Sequence, residues 1–532
     1  MSSAPVDGAS LEAPRRGHVV KGREAWGLAA VVLLALLLRL PTAGGQSYWL
    51  DEAYTVQILS GSLGDAWSTI QRTENTPPLY YLVAWGWTQL TGTGELGVRS
   101  LGALAGAAAT VPVALLAGRV GGRDWRPLGP PVTVAGLLAA LLFAVNPLGQ
   151  WFAQEARAYS LLLLTAALAW LALAAALAAP TSRRLWWWAG AAVLATWTHY
   201  FGGLLLALGS LLLVALMVRP SLAARIGAPA PTAAGEGGPL ARIGAARLLP
   251  LAAAAVGAAT LLPVALAQRS TSMYEAIAGV KSLPERIGEL PKQLAIGYDA
   301  PAEYVVGIAL ALVLAGLVLA GAWPRERRPT AATALLGLVA LVWALPIAGV
   351  ALGFDVVLTR NYVVLIPPLA VLAALGALRL GRRGTFAAAV VVVVQLAVIV
   401  AVAATPQYRR DDWRGAMRAA TAGQPGPQLL LVSRFQPLVS TLYAPGLRTV
   451  PPEAPVAVRT VAIVDRPVRS GRQAPPAVPA PPVPAGLRLV RTTRNAQYRV
   501  FVWRADRPLT VAPAALIGLL PDGGARTAAV RP

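Results

Sequence analysis

Two adjacent carboxylates, Asp51 and Glu52, stand in the run Tyr48-Trp49-Leu50-Asp51-Glu52-Ala53-Tyr54, just after a long apolar block. An acid in so apolar a place is costly unless it is used or paired. That marks both as candidates for taking a proton from a weak nucleophile. Acids in the first turn of a helix are also favoured by its dipole, and the residues alone leave both readings open. Beyond them Val56, Leu59 and Leu63 repeat at helical spacing, which predicts a helix lying on a membrane surface.

A second group is Asn146-Pro147 followed by Gln154-Glu155-Ala156-Arg157-Ala158-Tyr159. Arg157, Arg99 in Gly97-Val98-Arg99-Ser100, and Arg360 in Arg360-Asn361-Tyr362 each stand at the mouth of an apolar block. A planar guanidinium gives two parallel hydrogen bonds to phosphate. Three such arginines near several carboxylates predict a site for an anionic ligand. Any one of them alone could equally snorkel to lipid headgroups. His199-Tyr200 closes another apolar block, and Asp299, Lys281 and Lys292 share one loop. His199 reads as a site residue or as a satisfied interfacial one, and loop groups such as Asp299 are often simply solvated.

The elements that must hold these residues are membrane spans. The chain has 532 residues, 56% hydrophobic and 13% charged, too little charge for a soluble surface of that size. A span needs roughly 20 apolar residues, and we read about eleven, at Ala25–Pro41, Leu96–Gly118, Pro131–Val145, Ala158–Ala179, Leu185–Thr198, Gly202–Val218, Leu248–Ala267, Tyr304–Ala322, Ala331–Gly353, Tyr362–Leu378 and Phe386–Ala404. The polar segment Met1–Glu24 is expected to be cytoplasmic and disordered, with no convincing cleavage site after the first apolar block.

Net charge is +22, and its distribution points to topology, not to nucleic acid. With Arg15, Arg16, Lys21 and Arg23 inside, alternate crossings put Arg119/Arg123/Arg126, Arg183/Arg184, the linker from Arg219 to Arg247, Arg325/Arg327/Arg328 and Arg379/Arg382/Arg383 inside as well. This requires that Pro77–Leu90 does not cross but lies in the interface. The expected domains are thus a membrane domain over residues 25–404, with outer loops 42–95 and 268–303 and a cytoplasmic linker 219–247, and an outer domain over residues 405–532. Dominance of Ala, Arg, Gly and Pro suggests a GC-rich bacterial genome, hence a bacterial cytoplasmic membrane.

After Thr405 the pattern changes. Gln428–Val432, Thr460–Val464, Leu487–Val490 and Tyr498–Trp503 read as strands and Asp411–Ala420 as a helix, with a Pro-rich stretch at Ala474–Pro484. This predicts a small α/β domain outside the membrane. The chain contains no Cys and only His18 and His199, which excludes disulfides, thiolate nucleophiles and multi-His metal clusters. The spacing demands no cofactor or divalent metal, although clustered outer carboxylates are compatible with one.

At these residues the chain resembles the GT-C glycosyltransferases, in particular the branch of protein O-mannosyltransferases and aminoarabinose transferases (family 39 and its bacterial relatives). WLDEAYTVQ, then TPPLYYLVAWGWTQLTGTGELGVRSLGALAG, then NPLGQWFAQEARAYSLLLL carry the likeness over roughly the first two hundred residues, with a weaker echo in RNYVVLIPPLAVLAALGA. The resemblance implies a polytopic GT-C fold with juxtamembrane helices in the first outer loop, a sugar donor on a polyprenyl phosphate, and a catalytic acid that maps onto Asp51 with Glu52 beside it. The acceptor would be a cell-envelope glycan, lipid or protein. On this reading Asp51 takes the acceptor proton, attack inverts the anomeric carbon, and Arg157, Arg360 and, less directly, Arg99 meet the departing phosphate. Glu155 would hold Arg157 or sugar hydroxyls, alongside Gln154, Tyr159, His199, Tyr200 and Tyr362. Tyr54, Tyr80 and Trp49 would stack on sugar or prenyl chain, or serve as interface aromatics.

Two other classes remain open. A transporter or lipid flippase would show broken helices in paired positions near the midplane. A polysaccharide-binding scaffold would use the basic C-terminal region.

Overall fold

The computed structural model describes residues 22–122, 125, 132–219, 221–223, 228, 244–269, 281–324, 329–424, 426–433, 437–465, 479–483, 485–517 and 526–532. The expectations for Arg15, Arg16, Lys21, Arg123, Arg126, Arg325, Arg327 and Arg328, for most of the linker 219–247, and for part of the Pro-rich stretch lie outside the described residues.

Among the described residues nine helices are long and apolar enough to cross a membrane. They are α1 (Arg23–Ala43), α5 (Glu95–Val120), α8 (Tyr159–Ala178), α10 (Tyr200–Val218), α11 (Ala245–Gln268), α13 (Glu303–Ala322), α14 (Ala331–Leu352), α15 (Thr359–Arg379) and α16 (Gly381–Ala404). The chain is a polytopic helical membrane protein. Helix α9 (Ser182–Thr198), with 17 residues, takes the place expected for Leu185–Thr198.

The expected span Pro131–Val145 differs. It is an 11-residue helix, α6 (Val134–Ala144), followed after a 60° bend by α7 (Pro147–Ala153). The cause is local. Pro147 cannot continue a helix as a donor, and the Asn146 side chain caps the new one by accepting the Gly149 N–H at 2.9 Å. Arg39 of α1, fully buried, donates to the Ala144 carbonyl at 3.0 Å, at the C-terminal end of α6 where carbonyls lack helical partners. The bend turns residues 151–157 back toward α1.

Two spans meet through glycine. A Cβ on Gly376 of α15 would run into the Leu317 carbonyl of α13, and one on Gly321 into the Leu372 carbonyl. Only hydrogen at these positions lets the backbones come so close, as small residues do between membrane helices.

Between α1 and α5 the chain forms α2 (Leu50–Leu59), α3 (Leu63–Thr73) and α4 (Leu79–Thr91). Helix α4 has 13 residues and rises about 20 Å, short of the roughly 30 Å of hydrocarbon a crossing requires. The single surface helix expected through Val56, Leu59 and Leu63 is instead two helices, because Ser62 caps a new one at Asp65. Val56 and Leu59 pack inside the protein against Ile70, Tyr80 and Tyr81, while Leu63 is exposed.

Residues beyond α16 form helix α17 (Trp413–Thr421) and a six-stranded sheet in the order β2-β6-β1-β3-β5-β4. The four expected strands are β1 (Gln428–Ser433), β3 (Val456–Asp465), β4 (Arg488–Arg494) and β5 (Arg499–Val511). Short β2 (Arg448–Val450) and terminal β6 (Arg526–Arg531) complete it. Central β1 and β3 run parallel, with alternate residues on opposite faces. Leu430, Val432, Ala462 and Val464 pack under Trp413 and Met417, in one core with Ala53 of α2. Leu429, Leu431, Val461 and Ile463 build the other face with Phe501 and Trp503.

Candidate active site

The C-terminal region meets residues 46–48 and Glu95 through specific bonds. The Tyr443 hydroxyl accepts the Tyr48 N–H and donates to Glu95, both at 2.7 Å. The Ser47 hydroxyl donates to the Asp411 carbonyl at 2.9 Å, and the Arg410 N–H to the Gln46 side chain at 2.9 Å. Between these elements and the mouths of the spans lies a cavity of about 830 Å³. Its lining is of mixed charge: Glu155, Glu289, Asp299 and Asp411 face Lys281, Arg286, Arg360, Arg409 and Arg410, with Trp49, Trp151, Tyr159 and Tyr298 among the walls.

Asp51 and Glu52 have different fates. Glu52 is fully buried and receives Arg99 Nε at 2.7 Å, Arg99 Nη2 at 2.5 Å and the Ala156 N–H at 2.7 Å. Burial alone would raise its pKa, but Arg99, Arg410 and the Ala156 N–H hold it below the usual glutamate value. Arg99, also buried, spends its other protons on the carbonyls of Ala43, Gln46 and Ser47. This pair ties α1, α2, α5 and residue 156 together, and neither residue lines the cavity. Asp51 is partly exposed and its Oδ2 lies 3.9 Å from Arg360 Nη1, whose side chain enters the cavity.

Arg157 is also committed. Its two terminal nitrogens meet the two oxygens of Glu74 at 3.0 Å each. Tyr81 donates to the same carboxylate at 2.5 Å. Glu74 has no motif around it, and sequence reasoning missed it. Arg157, expected to meet an anion, does not line the cavity, and a bidentate carboxylate fills its fork.

Glu155 enters the cavity and accepts Arg410 Nη2 at 2.8 Å. Arg410 Nη1 donates to the Gln154 carbonyl at 2.9 Å, and its guanidinium lies 4.3 Å from the Trp151 ring centre. Burial, reinforced by Glu52 and Asp51 and opposed by Arg410, pushes the Glu155 carboxyl up to about 7. Arg410 was also missed, because it lies in the segment after the last span and not in the motif it serves. So was Arg286, which forms a two-point pair with Asp355 at 2.8 and 2.5 Å on the opposite wall.

The remaining candidates divide. Tyr159 lines the cavity and packs on Phe152 at 4.4 Å between ring centres. Gln154 hydrogen-bonds Thr42 through its side chain, beside a smaller adjoining cavity. His199 is buried behind Tyr159, 5.9 Å between ring centres, with Nδ1 accepting the Phe201 N–H at 3.2 Å. Burial, with Arg360 and Arg157 nearby, lowers its pKa to about 3, which keeps the imidazole neutral. Tyr200 donates to Gln268 at 2.8 Å. Tyr362 packs in the core between Phe201 and Trp343, and Tyr80 against Tyr81. Tyr54 is exposed on α2. Lys281 reaches Glu289 at 2.6 Å on the cavity wall, while Lys292 is buried beside Glu303. Among the described residues no group of three or more His, Asp or Glu is placed to hold a metal ion.

Fold and site together define a polytopic helical membrane protein with a polar, mixed-charge cavity where its spans emerge. No protein-family profile matches the chain, and no curated protein matches it. Among solved structures it is similar to ArnT from Cupriavidus metallidurans bound to undecaprenyl phosphate, at 15% identity over 90% of this chain and 98% of that one, with a TM-score of 0.49. It is also similar to the oligosaccharyltransferase AglB from Archaeoglobus fulgidus, in complex with an inhibitory peptide and a dolichol-phosphate, at 16% identity over 76% of this chain and 58% of that one, with a TM-score of 0.43.

Proposed function

We propose that the protein is an inverting glycosyltransferase that moves a sugar from a polyprenyl-phosphate carrier to an acceptor at the outer face of a bacterial cytoplasmic membrane. The observation that carries this reading is the pairing of Asp51 with Arg360 at 3.9 Å beside a cavity of about 830 Å³. A base and a phosphate-binding cation stand together there, with a second carboxyl, Glu155, poised near neutrality across from them.

Asp51 accepts the proton of the acceptor hydroxyl as its oxygen bonds to the anomeric carbon, and the bond from that carbon to the phosphate oxygen breaks. The phosphate leaves as an anion and requires positive charge, which Arg360 supplies. Arg360 leans on Asp51. A donor phosphate that draws Arg360 to itself frees Asp51 to act as base. Glu155 and Asp299 bind sugar hydroxyls. An apolar cavity of about 280 Å³, walled by Leu294, Leu314, Val318, Ile366 and Leu369, shares helix α12 (Leu283–Ile296) with the polar one and suits the prenyl chain. The α6–α7 pair is the single span bent by more than 40° among the described residues, whereas a transporter is expected to show broken helices in pairs.

The test is transfer by purified protein from a panel of polyprenyl-phosphate sugars, with membrane extract as acceptor. Asp51→Asn should lower the rate about a hundredfold, the low end of general-base contributions, without loss of folding. Equal rates would remove Asp51 as the base and move that role to Glu155.

A further inference from the structure

A separate cleft of about 500 Å³ lies on the far side of segment 406–410, between the first outer loop and helix α17. Arg409, Arg410, Arg414 and Arg418 line it, and Asp412 is its one acid. Asp412 is occupied in capping α17, accepting the Gly415 N–H at 2.8 Å. Arg410 is matched by Glu155. Arg414 stands 3.8 Å from Glu95 and 3.4 Å from the Gly44 carbonyl, and the exposed Arg418 forms no ion pair with any described residue. The cleft therefore keeps a positive surplus.

Its position adds a second observation. Gly44 to Ser47 directly follow the last residue of α1, and Pro406 and Arg409 follow the last residues of α16. The cleft thus stands at the adjacent ends of two spans, the depth at which headgroups are expected. Beneath it, sharing Gly45, Gln46 and Arg409, is a slot of about 170 Å³ walled by Leu38 and Pro41 of α1 and Ile399, Val402 and Ala403 of α16. A basic chamber above an apolar slot between two helix ends has the two-part chemistry of a lipid with an anionic head.

We propose that this cleft binds a lipid-borne phosphate, with its head among Arg409, Arg414 and Arg418 and its chain entering between α1 and α16. The site adjoins the main cavity, with Arg409 and Arg410 on the wall between them, while Arg414 and Arg418 face the cleft alone; it stands whether or not the protein transfers a sugar. Two lipids carry this chemistry, an anionic phospholipid and a polyprenyl monophosphate.

The test is native mass spectrometry of the purified full chain in detergent, titrated in separate arms with dioleoylphosphatidylglycerol, farnesyl monophosphate and, as a neutral control, dioleoylphosphatidylcholine. Wild type should retain at least one anionic lipid in preference to the control, and Arg414→Gln/Arg418→Gln should bind it at least tenfold more weakly. A loss confined to farnesyl phosphate identifies the polyprenyl source, and one confined to phosphatidylglycerol the bulk membrane. Arg418→Glu, at an exposed side chain, carries the same test if the double variant does not fold. Undiminished binding of both anionic lipids in a folded variant, or no preference over the control in wild type, overturns the proposal.

Discussion

Arg410 and Glu155 lie 255 positions apart and meet at 2.8 Å, one from the segment leaving the last span and the other from the loop after the broken one. Burial has pushed Glu155 up to about 7, and the Arg410 cation opposes that push. Removing the cation favours the protonated form and raises the pKa further. If the carboxylate is the working form, Arg410→Gln should move the acid limb of the rate profile to higher pH and lower the rate at pH 7 about tenfold. Rate profiles of wild type and variant between pH 5 and 9 check this, since a merely structural lesion lowers the rate without moving the limb.

Arg360 and Arg157 should separate cleanly. Arg360 is in the cavity, so Arg360→Gln should raise the donor KM about tenfold or more, the value of one charge-assisted hydrogen bond of roughly 1.5–3 kcal/mol. Arg157 is locked to Glu74, so Arg157→Gln should lower thermal stability and leave the donor KM of the folded fraction little changed. Donor saturation curves with parallel melting curves distinguish the two.

Glu52→Gln leaves a buried Arg99 without its carboxylate. Breaking one side of a buried pair costs about 3–5 kcal/mol, so a marked fall in Tm and in yield is expected. The double change Glu52→Leu/Arg99→Met should cost less than the single one, because it removes both charges together.

Gly376→Val should separate α13 from α15, since the added carbons meet the Leu317 carbonyl. The expected outcome is loss of folded protein, read as aggregation in size-exclusion chromatography, with no selective effect on donor or acceptor KM.

The spans were legible because apolar length is a local property, and so were β1, β3, β4 and β5. Strand β2, three residues long, and β6, which gains its place only by pairing with β1 and β2, carry too little local pattern. The break at Asn146-Pro147 was written in the sequence, yet a hydropathy reading merges it into one short crossing. Candidate site residues were found by type, and their pairings were not. Glu52 with Arg99 spans 47 positions, Arg157 with Glu74 spans 83, and Arg410 with Glu155 spans 255. Type and local spacing told which groups were costly to bury, and the tertiary fold decided which were already neutralised. Arg99 and Arg157 therefore read as ligand groups, while Arg410 passed unnoticed.

Gln497, at the turn between β4 and β5, grips the segment that carries Arg410. It donates to the Pro406 carbonyl at 2.6 Å and the Arg410 carbonyl at 3.1 Å and accepts the Asp412 N–H at 2.7 Å. Most of the cavity's walls come from helices made earlier by the ribosome, and this clamp is translated only after the last described span. A nascent chain can insert every span and still lack a finished pocket. A chain cut short before Gln497 would therefore insert its spans yet leave the Arg410 segment unclamped, so membrane insertion and completion of the pocket are separable events.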